Sequence, residues 1–137
     1  MPPLPGTETI LVVDDDHAVL SLANAMLSRC GYTVITAPTG KEALRLLEVW
    51  PDMTIDLALI DLVMPNMNGV ELAKHLRVAR PGLPILFFSA YSDWEPLRPK
   101  FARDVPFISK PFTSVQLTKK IRETLDVPKT DAASGAN

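Results

Sequence analysis

Short apolar segments alternate along this chain with segments whose apolar residues recur at helical spacing. The apolar segments are Thr9–Val13, Tyr32–Thr36, Ile55–Ile60, Pro84–Phe88 and Val105–Ser109. Each has the length of a strand, and nearly continuous apolar character is typical of strands that are buried on both faces. The alternation therefore predicts a parallel sheet that is covered by helices on both faces.

Three of the intervening segments show clear helical periodicity. They are Asp16–Arg29, with Asp16 as the expected N-cap, a helix that Thr39 caps and that extends to about Glu48, and Val70–Ala79. A last helix ends near Leu125, and Thr113 and Gln116 at its start have the spacing of a capping box.

The segment Asp93–Asp104 is the one that fits this pattern poorly. Pro96 and Pro99 lie where a helix would connect the fourth and fifth strands. A proline inside a helix costs about 3 kcal/mol or more, because it removes a hydrogen bond and clashes with the preceding turn. We therefore expect a fourth helix that is shortened or irregular.

The favoured architecture is α/β, a flavodoxin-like (βα)5 three-layer sandwich. Right-handed crossovers leave few topologies, and among them we favour a five-stranded parallel sheet in the order 2-1-3-4-5. This order places the first and third strands side by side. Residues 7–127 are expected to form a single domain, after an extended leader at 1–6 and before a disordered tail at 128–137.

Composition excludes several classes of function. The 137 residues are 47% hydrophobic and 22% charged, and the net charge of −2 comes without a block of basic residues. This argues against contact with nucleic acid, which usually needs clustered lysine and arginine. The single cysteine, Cys30, excludes an intramolecular disulfide and a multi-cysteine zinc site. No apolar stretch approaches the roughly 20 residues of a membrane span, so we expect a cytoplasmic domain without membrane contact.

Acidic, hydroxyl-bearing or basic residues directly follow four of the predicted strands. Asp14 and Asp15 follow the first, Asp61 the third, Ser89 the fourth and Lys110 the fifth. The carboxyl ends of the strands carry the site in open parallel sheets, so these side chains should meet at one edge. Three carboxylates, one hydroxyl and one ammonium would then lie together.

This set of groups is suited to metal-assisted phosphoryl chemistry. Carboxylate oxygens without histidine or cysteine favour magnesium over zinc, and manganese can substitute for magnesium. Asp61 is the central acid, and a carboxylate can attack phosphorus to form an acyl phosphate. Phosphoryl transfer depends mostly on positioning and charge neutralisation, which the cation and Lys110 would provide.

Four segments of the chain resemble the response-regulator receiver domain of two-component signalling. They are Val12–Asp16, Ile60–Gly69, Phe88–Ala90 and Ser109–Phe112. Each segment alone is a weak signal, but together they are specific, because they occur in the family's order and close to its spacing. The resemblance covers nearly the whole chain.

The resemblance implies a role for each site residue. Asp61 would be the phosphoacceptor, and magnesium would be held by Asp14, Asp15, Asp61 and the backbone carbonyl of Val63. Ser89 would be the switch hydroxyl, Phe107 the switch aromatic residue and Lys110 the contact to the phosphoryl group. The Lys110–Pro111 peptide bond would be cis, which only an X–Pro bond adopts at modest cost.

The resemblance also implies a function, namely phosphorelay signalling. A sensor histidine kinase or a histidine phosphotransfer protein would donate a phosphoryl group to Asp61, and the domain would then change a face that contacts an unknown downstream protein. Such a domain is not an enzyme beyond its own phosphorylation and slow dephosphorylation. It would be a stand-alone receiver or the receiver of a hybrid sensor kinase.

Two other classes of function remain open. A receiver that accepts no phosphoryl group would act only as a protein-interaction module. A magnesium-dependent phosphohydrolase would also use carboxylates at strand ends, although the chain is short for an enzyme of that type.

Overall fold

The computed structural model describes residues 2–90 and 106–126 of the chain. The strands in these ranges are β1 (Thr9–Val13), β2 (Thr33–Ala37), β3 (Leu57–Asp61), β4 (Ile85–Ser89) and β5 (Phe107–Ser109). The helices, numbered as they occur in the same ranges, are α1 (His17–Arg29), α2 (Gly40–Val49), α3 (Gly69–Ala79) and α4 (Ser114–Leu125). The irregular helix that the sequence predicts between β4 and β5, and the predicted tail, lie outside the described residues.

The strands form one parallel sheet in the order β2-β1-β3-β4-β5. This confirms the predicted topology. The register pairs Val13 with Ile60, Asp61 with Phe88, and Ser89 with Ser109. The carboxyl ends of β1, β3, β4 and β5 are therefore nearly level, which brings the residues that follow these strands to one edge.

Two hydrophobic clusters occupy the two faces of the sheet. On one face, α2 and α3 pack through Ala43, Leu47, Leu72, Ala73 and Leu76. On the other face, α1 and α4 pack through Leu20, Ala23, Leu27, Leu117 and Ile121. β1, β3 and β4 contribute to both clusters, since successive side chains of a strand point to opposite faces. The three-layer prediction is confirmed.

A polar side chain caps each of the four described helices, and three of these caps are the predicted ones. The Asp16 carboxylate accepts a hydrogen bond from the backbone N–H of Ala18, and Thr39 caps α2 in the same manner. The capping box of α4 is confirmed, because Gln116 accepts from the Thr113 N–H at 2.9 Å while Thr113 accepts from the Gln116 N–H at 3.1 Å. Asn68 caps α3, so this helix begins one residue before the predicted Val70.

The predicted bounds of β2 are wrong by one residue. The backbone N–H of Tyr32 donates to the carbonyl of Leu27 at 3.1 Å, which assigns Tyr32 to the turn that closes α1. The strand therefore begins at Thr33. Apolar character alone does not reveal this difference, because Tyr32 is buried in either arrangement.

The leader packs against the body of the domain. The backbone N–H of Leu4 donates to Thr118 Oγ1 at 3.0 Å, and the N–H of Gly6 donates to the carbonyl of Cys30 at 3.0 Å. A Cβ atom at Gly6 would lie 2.3 Å from the ring of Tyr32. The leader therefore runs closely along the end of α1 and along α4.

An ion pair joins the start of the chain to α4. The guanidinium of Arg122 donates to both carboxylate oxygens of Glu8, at 2.7 and 2.8 Å, and also to Asp126 and to the hydroxyl of Tyr32. The hydrogen bond from Arg122 lowers the pKa of Glu8 from 4.5 to about 2. Bidentate pairs of this kind are among the stronger charge-assisted hydrogen bonds.

Replacing this arginine, Arg122→Met, should lower the free energy of unfolding by about 1–2 kcal/mol near neutral pH. The folded-state pKa of Glu8 lies below its unfolded value, so its contribution is present above about pH 4.5 and is lost as the pH falls towards 2. Urea unfolding at neutral pH and near pH 3 measures the difference. The exposed pair of Arg45 and Glu42, at 3.6 Å, supplies the control Arg45→Met, which should change little. A loss that does not shrink at acidic pH would contradict this account.

Candidate functional site

Two aspartates lie side by side at the carboxyl edge of the sheet. Asp61 is the last residue of β3, and Asp14 follows β1, where its N–H donates to the carbonyl of Ala37 at 3.3 Å and extends the ladder. Val12 and Leu59 belong to the cluster beneath α1 and α4. Because side chains alternate along a strand, Asp14 and Asp61 follow on that same face.

Asp15 completes a group of three carboxylates. One oxygen from each of Asp14, Asp15 and Asp61 lies within 4.8 Å of the others. Asp14 is fully buried, Asp61 is 5% exposed and Asp15 is exposed to solvent. A donor set of carboxylate oxygens alone fits a hard divalent cation such as magnesium, and the exposed side of the group allows the cation to retain waters.

Lys110 brings a positive charge to this group from β5. Its backbone N–H donates to the carbonyl of Ser89 at 2.9 Å, which continues the β4–β5 pairing by one residue. Its Nζ lies 2.7 Å from Asp14 Oδ2 and 3.5 Å from Asp61 Oδ1. The following Lys110–Pro111 peptide bond is cis. The ammonium thus sits between two of the three carboxylates.

The two buried carboxylates are held very differently. Asp14 accepts short hydrogen bonds through both oxygens, from the Asp16 N–H at 2.8 Å and from Lys110 at 2.7 Å. Asp61 Oδ1 is met only at longer range, by the Val63 N–H at 3.4 Å and by Lys110 at 3.5 Å. Asp14 is therefore arranged as a fixed charge, and Asp61 keeps oxygen lone pairs available for a new bond.

The surroundings of Asp61 disfavour its charged form. Burial is the main cause, followed by the negative charge of Asp14, and together they raise the pKa of Asp61 from 3.8 to about 7. The Lys110 ammonium opposes this shift without cancelling it. The protein's own groups thus leave negative charge at the site uncompensated, which is the electrostatic condition that favours binding of a cation.

The loop after β3 passes close to Asp61. A Cβ atom at Gly69 would lie 2.4 Å from the carbonyl oxygen of Asp61, so only glycine allows this approach of α3 to the strand. Asn66 adopts a φ of 70°, a left-handed conformation that asparagine tolerates well. Val63 is 45% exposed in this loop. Its N–H faces Asp61, and the role of its carbonyl as a metal ligand stays a prediction.

Ser89 and Phe107 lie on the face of the sheet that α2 and α3 cover. Phe87 is buried in that cluster, so Ser89, two residues later in β4, follows on the same face and is 2% exposed. Phe107 pairs with Phe87 across β4 and β5 and is half-buried against the cluster. The roles of Ser89 and Phe107 as switch residues stay predictions.

Phe88 is a residue of the site that was not predicted from the sequence. Its ring lies under the ammonium of Lys110, with 4.7 Å between Nζ and the ring centroid. The available signal was the strand alternation, because Phe88 pairs with Asp61 in the register and therefore shares its face. An apolar residue in an apolar strand is interpreted as part of the core until its neighbours in the folded structure are known.

A family model supplies the first comparison with known proteins. The model described as the response regulator receiver domain matches residues 10–122 of this chain. This range includes every residue of the carboxylate group, Ser89, Phe107 and Lys110. In the part of the chain that the structure describes, no helix has the length and apolarity needed to cross a membrane.

Curated relatives and solved structures agree with that match. The chain is 35% identical over 129 residues to the sensor kinase CckA of Brucella abortus, covering 90% of this chain and 13% of the kinase. It is 33% identical to the alkaline phosphatase synthesis transcriptional regulatory protein PhoP of Bacillus subtilis, covering 85% of this chain and 48% of PhoP. The chain therefore spans less than half the length of these relatives.

Among solved structures, the chain is similar to the receiver domain of the hybrid histidine kinase CckA. The TM-score is 0.70 with 32% sequence identity, and the match covers 85% of this chain and 98% of that domain. A second similar structure is the chemotaxis protein CheY4 of Vibrio cholerae, with a TM-score of 0.73, 25% identity, and coverage of 88% of this chain and 100% of CheY4.

Proposed function

We propose that this chain, which belongs to the response regulator receiver domain family, accepts a phosphoryl group on Asp61 in a magnesium-dependent phosphorelay. One observation carries the proposal. Asp14, Asp15 and Asp61 present oxygens within 4.8 Å of one another, and the Lys110 ammonium lies between Asp14 and Asp61. The groups that would act as metal ligands, as nucleophile and as the cation for a phosphoryl oxygen thus lie at one edge of the sheet.

Asp14, Asp15, Asp61 and the carbonyl of Val63 are the residues that would hold magnesium. When bound, magnesium supplies positive charge that neutralises the phosphoryl oxygens during transfer. The tight contacts of Asp14 fix its carboxylate as a ligand, and the exposure of Asp15 leaves one side of the group open to the donor.

Asp61 is the nucleophile in this proposal. One of its oxygens forms a bond to phosphorus while the bond between phosphorus and the donor's imidazole nitrogen breaks, and that nitrogen retains the electron pair. Lys110 then contacts a phosphoryl oxygen from its position 3.5 Å from Asp61 Oδ1. The protein contributes position and charge, which is most of what phosphoryl transfer requires.

The new acyl phosphate would change the residues around it. Phosphorylation adds negative charge and strong acceptor oxygens, which attract the Lys110 ammonium and the Ser89 hydroxyl. Phe107 lies half-buried beside Phe87 on the face that Ser89 shares. We propose that Ser89 moves towards the phosphoryl group and that Phe107 follows inward, which reshapes the surface around β5. A bias of a few kcal/mol is enough for such a population shift.

In this proposal, a sensor histidine kinase or a histidine phosphotransfer protein donates the phosphoryl group. The domain then passes the signal to a further protein through its reshaped surface. The similarity to the sensor kinase CckA supports a place for this chain as the receiver part of a hybrid kinase. The similarity to PhoP supports a place in a transcriptional regulator.

Intact-mass spectrometry after incubation with magnesium and acetyl phosphate tests the proposed function. We expect the parent protein to gain the mass of one phosphoryl group and Asp61→Asn to gain none, because the amide is not a nucleophile for phosphorus. Asp56→Asn is a suitable control, since Asp56 lies at the opposite end of the sheet, where it accepts from the Thr9 N–H at 2.8 Å.

Incubation with a phosphorylated histidine protein and with small phosphoesters extends this experiment to the alternative classes of function. A receiver that acts only as an interaction module would gain no phosphoryl group from acetyl phosphate or from a phosphorylated histidine protein. A phosphohydrolase would release phosphate from small phosphoesters through many turnovers. Either result would contradict the proposal.

A further inference from the structure

We propose that Phe88 is a positioning residue for Lys110, holding the ammonium at the site through the face of its ring. This inference rests on the proposed function, because the ammonium that Phe88 positions is the one that would contact the phosphoryl group. Phe88 itself touches neither the donor nor the reacting atoms in this account. It acts through Lys110.

The geometry gives the ammonium three neighbours. Its Nζ lies 2.7 Å from Asp14 Oδ2, 3.5 Å from Asp61 Oδ1 and 4.7 Å from the ring centroid of Phe88. A cation within about 6 Å of an aromatic ring centroid is attracted by the negative face of the ring, and the attraction is stronger where water is excluded. The Lys110 side chain is 25% exposed, so water is excluded from most of it.

The ring is itself held firmly in place. Phe88 is fully buried in the cluster beneath α1 and α4, and its strand pairs with β3 on one side and β5 on the other. Phe112, two residues after Lys110, packs against it in a tilted arrangement with 5.9 Å between the ring centroids. The aromatic pair thus fixes the surface on which the ammonium rests.

An aromatic wall has a specific advantage at this position. It attracts the ammonium without neutralising its charge, so the charge remains available to a phosphoryl oxygen on Asp61. A carboxylate or an amide oxygen in the same place would compete with that oxygen for the ammonium protons. The attraction is also not tied to one acceptor atom, so the ammonium can turn from Asp14 towards Asp61 while staying over the ring.

The test replaces the ring with one of nearly the same shape and the opposite charge distribution. Phe88→pentafluorophenylalanine reverses the electrostatics of the ring face, and Phe88→Leu removes the ring. Phe87→pentafluorophenylalanine is the matched control, since Phe87 is the neighbouring buried residue of β4 on the opposite face. Two quantities are measured: the phosphorylation rate over a range of acetyl phosphate concentrations, and the chemical shift of the Lys110 Hε protons without metal or donor.

We expect Phe88→pentafluorophenylalanine to lower the rate constant at saturating acetyl phosphate about ten-fold, with little change in the half-saturating concentration. In the parent protein, the Lys110 Hε protons should resonate upfield of other lysines, and this displacement should shrink in both Phe88 variants. The Phe87 control should match the parent in both measurements.

The inference would be overturned if Phe88→pentafluorophenylalanine had the same phosphorylation rate and the same Lys110 Hε chemical shift as the parent. This holds even if Phe88→Leu were poorly folded. An equal loss in the Phe87 control would also overturn it, because the effect would then come from fluorination of the core. If the parent itself gained no phosphoryl group, the proposed function would fail. The resonances of Lys110 would still decide whether Phe88 positions the ammonium.

Discussion

Replacing Lys110 with methionine is expected to slow the phosphorylation of Asp61 by acetyl phosphate about 100-fold, the size of effect seen when one preorganised charge-stabilising group is removed. The ammonium lies 3.5 Å from Asp61 Oδ1, so it is placed to meet a phosphoryl oxygen as negative charge develops on it. Methionine fills a similar volume without charge. A time course of intact mass at saturating magnesium and donor measures the rate.

The same substitution removes the partner of a fully buried carboxylate. Asp14 accepts from Lys110 at 2.7 Å, and breaking a buried pair of this kind costs about 3–5 kcal/mol. The rate must therefore be measured at a temperature where circular dichroism shows the variant to be folded. Lys119→Met, on the exposed side of α4, controls for the loss of one positive charge. If a folded Lys110→Met variant were phosphorylated at a rate within about three-fold of the parent rate, Lys110 would have no role in the mechanism.

Asp61→Asn should make the protein more stable than the parent above neutral pH in the presence of a chelator. The folded-state pKa of Asp61 is raised from 3.8 to about 7, so the folded protein binds more protons than the unfolded chain between these values. The contribution of Asp61 to stability consequently falls as the pH rises from about 4 to about 7. The difference between the folded and unfolded pKa of Asp61 sets an upper limit of about 4 kcal/mol on the gain in free energy of unfolding. We expect a gain of about 2 kcal/mol, because the buried amide has its own desolvation cost.

Urea unfolding of both proteins at several pH values measures this gain. The advantage of Asp61→Asn should be small near pH 4 and should grow towards pH 8. Magnesium should narrow the difference, because a cation that binds only the folded state stabilises it, and the parent offers the complete set of carboxylates. Asp52→Asn, in the exposed turn after α2, should match the parent throughout. A parent that is at least as stable as Asp61→Asn at pH 8 with chelator would show that Asp61 is not electrostatically strained.

The sheet and most helix ends could be predicted because they depend on local physics. The apolar strands, the caps Asp16, Thr39 and Thr113, and the polar residues after four of the five strands are all visible in a single sequence. Parallel topology then brings Asp14 and Asp61 together without further information, since neighbouring strands of one sheet must end at the same edge.

What could not be predicted depends on contacts between distant residues. The pair of Glu8 and Arg122 joins positions that are 114 residues apart, and nothing in either segment specifies the other. The Lys110 ammonium lies 2.7 Å from a carboxylate oxygen of Asp14 and 3.5 Å from one of Asp61. The residue types alone do not determine this difference in distance. The placement of Phe88 under Lys110 likewise follows from the register of β3, β4 and β5.

Chemical location of the phosphoryl group tests directly whether Asp61 is the phosphoacceptor. The parent protein would be incubated with magnesium and acetyl phosphate, reduced with borohydride, digested and sequenced by mass spectrometry. Borohydride converts an aspartyl phosphate to homoserine, so we expect homoserine at position 61 and aspartate at positions 14 and 15. Homoserine at position 14 or 15, or intact aspartate at 61 in a protein that has gained a phosphoryl group, would contradict it.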